Sequence, residues 1–74
     1  MTRPISTIAR EISRDWIKPN YAARPYLDAM HHFDAITDSY GDDSARSVVT
    51  YFLCNAGSWR GDVAKRIKAE LRSL

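Results

Sequence analysis

His31 and His32 sit among Asp28, Asp34 and Asp38. On a helix, Asp28 would reach His32 at i+4 and His31 at i+3, and His31 would reach Asp34 at i+3. A carboxylate beside an imidazole can orient a general base or a metal ligand, and the pair could respond to pH. One helix face seldom supplies the three or four converging ligands a metal needs. A solvated acidic face is therefore the expectation, with no metal and no cofactor. The run DSYGDDS at 38–44 has the composition of a calcium loop but lacks the alternating oxygen ligands and the closing Glu. Cys54 is the single cysteine. No helix N-terminus precedes it, so a buried, inert thiol is expected rather than a nucleophile served by His31. No strand–turn–helix elbow supports Ser/His/Asp chemistry. Arg60-Gly61-Asp62 spells an integrin tripeptide, which at a helix start is taken as chance. With no converging acid, base and nucleophile, an enzyme is not expected.

Charge is unevenly spread along the chain. Residues 1–19 carry four basic and two acidic groups, residues 59–74 five and two, and residues 20–58 two and five. Should the first and last helices lie side by side, Arg10 and Arg14 would join Lys65, Arg66, Lys68 and Arg72 in one basic surface suited to phosphates. The plainer view is that amphipathic helices keep their charges wet, and a net charge of only +2 favours it. Residues 44–73 also invite comparison with a helix-turn-helix, Gly57 marking the turn. The second helix would then have to read bases with Arg60, Asp62, Lys65 and Arg66, and it contains no Asn or Gln.

Trp59 and Tyr21 fall in connections, outside every helical stripe. A large ring there either clamps its loop onto the core or stands exposed as an anchor for a partner. Clamping is expected of a small domain. An exposed Trp59 beside Arg60 would instead be the first choice of hot spot, with Tyr21 as a second contact.

These residues must be positioned by helices. Ile5, Ile8, Ala9, Ile12 and Trp16 recur at helical steps, so a helix is expected over about 4–17, with Pro4 at its start and Pro19 beyond its end. Pro25 suits the first turn of a second helix, about 25–40, striped by Tyr26, Ala29, Met30, Phe33, Ile36 and Tyr40, with Gly41 as its left-handed cap. Asp42 and Asp43 would cap a third, about 43–56, whose stripe is Ala45, Val48, Val49, Phe52, Leu53 and Ala56. Val48 to Cys54 also reads as a strand, but no second strand is evident to pair with it. The fourth helix, about 60–73, buries Val63, Ala64, Ile67, Leu71 and Leu74, and Gly61 delays its start to Asp62. The expected fold is all-α: one domain, 1–74, a compact bundle of four short helices packed around the third.

Seventy-four residues, 45% of them apolar and 11% aromatic, support one small core and argue against disorder. One cysteine excludes an intramolecular disulfide scaffold. No apolar run approaches the roughly 20 residues that span a bilayer, and no signal-peptide apolar region opens the chain, so no membrane is expected and a cytoplasmic location is.

The phrases ISTIAREISRDW (5–16), YAARPYLDAM (21–30), YG (40–41), VVTYFLCNA (48–56) and WRGDVAKRIKAEL (59–71) together resemble small uncharacterised proteins of actinobacterial bacteriophages. The resemblance implies a protein made inside an infected or lysogenic bacterium and acting on host machinery; it carries no activity or binding residue. The functional expectation is a small non-enzymatic accessory protein that docks on a protein partner or on a second copy of itself. The alternative is a nucleic-acid binder using the basic faces of the first and last helices.

Overall fold

The computed structural model describes residues 3–74, with Tyr40 described by its backbone alone. Four helices carry the fold: α1 (Ile5–Asp15), α2 (Arg24–Met30), α3 (Ala45–Asn55) and α4 (Asp62–Arg72), with two-residue strands β1 (Ser39–Tyr40) and β2 (Asp43–Ser44) ahead of α3. The protein is thus an all-α bundle of short helices. Three helices bury residues of the stripes their spacing marks out: Ile5, Ile8, Ala9 and Ile12 from α1, Val48, Val49 and Phe52 from α3, and Ala64, Ile67 and Leu71 from α4, whereas α2 buries Met30 and Leu27, the latter outside its expected stripe.

The second helix is much shorter than expected. It ends at Met30, although Phe33 and Ile36 continue the apolar spacing and still face the core, Phe33 fully buried and Ile36 partly. The side chain of Tyr40, the last residue of that expected stripe, lies outside the described residues. Local hydrogen bonds explain the break. Asp38 accepts the backbone N–H groups of Asp34 and Ala35, each at 2.9 Å, and the two bonds hold its carboxyl below the ordinary value. The carbonyls of Phe33 and Asp34 accept the N–H groups of Ser6 and Ile5 at 2.8 Å. Helix α1 has no side-chain N-cap, so these two carbonyls satisfy donors that would otherwise be orphaned. A helix through residues 33–38 would deprive α1 of them.

The run read for calcium composition forms an antiparallel hairpin, with Ser39 opposite Ser44 and Tyr40 opposite Asp43. Gly41 turns it with φ 61°, the positive angle a type II′ turn requires at its first central position. The cap of α3 is accordingly Ser44 rather than Asp42 or Asp43: its hydroxyl accepts the Ser47 N–H at 3.1 Å.

Helix α3 sends Phe52 to the centre, against Trp16 and Trp59. The close helix pairs are α1 with α2, α1 with α4, and α2 with α3. Helix α4 lies on α1 and stands off from α3, and that separation shapes the surface described next.

Candidate docking groove

Because α4 rests on α1, an open groove of about 510 Å³ runs between α3 and the C-terminal end of α4. One wall is a single face of α3, Arg46, Val49, Thr50, Leu53 and Cys54, repeating at three- and four-residue steps. Leu71, Arg72 and Leu74 form the other wall, and Ile36 closes one end. Val49 and Leu71 are buried, while Ile36, Leu53 and Leu74 are only partly covered. Arg46 and Arg72 are exposed on opposite walls, and neither has an ion pair among the described residues. Among the described residues, no carboxylate side chain lines the groove.

Cys54 lines it too, and is exposed rather than buried. It occupies the side of α3 away from Val48 and Phe52; that side carries no charge beyond Arg46, but Cys54 on it is not covered. Tyr51, half-exposed beside it, stacks on Tyr26 at 5.5 Å and ties α3 to α2.

Of the three residues named as partner anchors, Trp59 is withdrawn. Its ring is 3% exposed, stacked nearly parallel on Trp16 at 5.7 Å, with Phe52 meeting both rings edge-on. Its indole N–H donates to Asp15 Oδ2 at 2.8 Å. The connection is pinned because a buried indole needs both packing and a partner for its one donor. Arg60 is exposed, and Tyr21 is 94% exposed.

The basic residues are split. Helices α1 and α4 do pack together, yet their seam is of mixed charge. Arg66 pairs with Glu11, and Arg3 bridges Glu11 at 2.8 Å and Glu70 at 2.6 Å. Arg14 lies in a shallow depression with Glu11, Asp15 and Val63, and Arg10 is exposed. Lys68 donates to the Trp59 carbonyl at 2.6 Å and sits 5.8 Å from the centre of its ring. Burial, then Arg72 and Arg60 nearby, hold Lys68 below its ordinary value. Arg60, Lys65, Lys68 and Arg72 therefore crowd one depression floored by Trp59 and Ala64, with Asp62 the one carboxylate among its described lining residues.

The other motifs resolve into local structure. His31 Nε2 lies 3.2 Å from Ser13 Oγ, and Asp34 and Asp38 serve the turn after α2. No three His, Cys, Asp or Glu among the described residues are grouped to hold a metal ion. Six residues separate α3 from α4 where a helix-turn-helix uses three or four, and α4 packs mainly on α1. Gly61, with φ 114°, is the N-cap of α4, and no described helix is long and apolar enough to cross a membrane.

Sequence reasoning missed the groove because it follows from which helices pair; the one available signal was the run of partly apolar positions along the less apolar side of α3. It also missed Asn20, whose amide donates to the Asn55 carbonyl at 2.8 Å and to Ser58 Oγ at 3.2 Å while its oxygen accepts the Ala23 N–H. No protein-family model matches the chain, and no curated protein and no solved structure does so either.

Proposed function

We propose that this chain is a small non-enzymatic binding protein of phage type whose partner is another protein, and that the groove between α3 and α4 is where it docks. The supporting observation is the trio Ile36, Leu53 and Leu74, left partly uncovered where α4 stands off from α3. Partly covered aliphatic side chains between two helices gain most from burial under a third element. Tyr21, exposed in the turn just before α2, is a second contact point outside the groove.

Cys54 supplies the test, because it is the only cysteine and it lines the groove. Conjugating a bulky maleimide to it blocks the groove without altering another residue. Bait of native and conjugated protein is exposed to lysate of an actinobacterial host, with light scattering to report self-association. The expected result is a partner, or a dimer, lost on conjugation while the helical circular dichroism signal is unchanged. Binding that survives conjugation places the docking surface elsewhere.

Nucleic-acid binding is the second reading, favoured by the crowding of Arg60, Lys65, Lys68 and Arg72 on one side of α4. Contact with several phosphates gives a steep fall of affinity with salt. A duplex titration showing no binding at low salt removes it.

A further inference from the structure

We infer that the occupant of the α3–α4 groove is an acidic amphipathic helix of a partner protein, its apolar stripe on Ile36, Leu53 and Leu74 and its carboxylates on Arg46 and Arg72. This rests on the docking role proposed above and adds the chemistry of what docks.

The shape selects a helix. The α3 wall presents side chains at successive helical steps, and an incoming helix can interdigitate its own i, i+3, i+4 and i+7 residues with them. An extended peptide would instead need a free sheet edge, and the strands described here are two residues long and paired with each other.

The charge selects an acidic one. Both walls place an arginine at the rim, neither is engaged by a carboxylate side chain among the described residues, and none of those residues lines the floor with an Asp or Glu side chain. Lys68, Arg60 and Lys65 extend the positive potential outward from Arg72 along α4. A basic helix would meet like charge on both sides, and a neutral one would leave the arginines without compensation.

The floor argues against nucleic acid. Among the described residues it is aliphatic and offers no aromatic ring on which a base could stack, so a strand held by the two arginines would leave Leu53 and Leu74 facing its phosphates. A second copy of this chain is also a poor fit. Its exposed carboxylates Asp15, Asp28 and Asp62 fall singly on three different helices and Asp34, Asp42 and Asp43 lie outside the helices, while the large exposed apolar groups among the described residues are Ile17, Tyr21 and Tyr51, so no acidic helical stripe is formed.

The test uses three synthetic peptides of about 14 residues, close to four turns. All carry leucine at the stripe positions, with Glu, Gln or Lys on the flanks. Binding is read as slowed reaction of Cys54 with a thiol reagent and as amide shifts in residues 46–54 and 71–74. The Glu peptide is expected to bind about tenfold tighter than the Gln peptide, and the Lys peptide weakest. In the double variant Arg46→Glu, Arg72→Glu the order should reverse, with the helical circular dichroism retained because neither arginine makes an ion pair among the described residues. Equal binding of all three peptides overturns the acidic occupant and leaves the docking groove standing. Failure of every peptide to protect Cys54 overturns both. Protection of Cys54 by an oligonucleotide and by none of the peptides assigns the groove to nucleic acid and overturns the inference.

Discussion

Trp59 shows how one side chain changes meaning between sequence and structure. A lone indole in a connection is consistent with a clamp or an anchor, and only groups remote in the chain decide which. Asp15, 44 residues earlier, takes its N–H, and Trp16 takes its face. Removing the ring should therefore destabilise rather than weaken docking. Trp59→Ala is expected to cost about 3–5 kcal/mol, much of the roughly 5–15 kcal/mol a small domain possesses. Urea titration followed by circular dichroism measures it; a midpoint unmoved from the native one would show that the stack contributes nothing. Cys54 teaches the converse. Its spacing sets it opposite Val48 and Phe52, so its exposure was legible; expecting burial came from treating an uncharged helix side as a covered one. An absence of charge does not supply a neighbour to pack against.

At the level of elements, three of the four helices lie within a few residues of their expected spans. Their stripes are strong, and their ends are set by signals close at hand: Pro4 before α1, Ser44 before α3 and Gly61 before α4. The second helix fails because its apolar spacing says what faces the core and nothing about which backbone carbonyls another helix will need. Phe33 and Ile36 keep the positions the stripe assigns them while the chain between them turns. Asn20 governs the next junction, joining the start of α2 to the end of α3 through a carbonyl and a hydroxyl on one and an N–H on the other. Asn20→Ala should lower stability by about 1–2 kcal/mol. Hydrogen exchange should speed first at Ala23; unchanged protection there would mean that the turn holds without the side chain.

Across the whole molecule, the arrangement of helices was the least legible feature, since the stripes of α1, α3 and α4 are similarly apolar and any pair could have met. The polar flanks distinguish one pairing, Arg3 with Glu70 and Glu11 with Arg66 tying α4 to α1, and the groove on the far side follows. Arg66, then Arg3, hold the Glu11 carboxyl below its ordinary value, and Arg3 does the same to Glu70. A carboxyl depressed by folding stabilises above its unfolded pKa, about 4.3 for Glu. That contribution fades as pH falls through the lower folded values. The melting temperature should thus drop between about pH 6 and about pH 3. Glu11→Gln with Glu70→Gln should make the drop shallower, and at neutral pH should cost on the order of 1 kcal/mol for such partly exposed pairs. In a domain this size that is about 4–8 °C. An identical pH profile in the double variant would show these ion pairs to be ornamental.

The two indoles of this chain, its only tryptophans, lie face to face with planes 7° apart. Rings held rigidly in this way contribute to near-ultraviolet circular dichroism, a signal lost when tertiary packing loosens. The protein thus carries its own optical gauge of core order, remote from the groove and needing no label. Helical signal that outlasts it would mark a loosened interior rather than an unfolded chain.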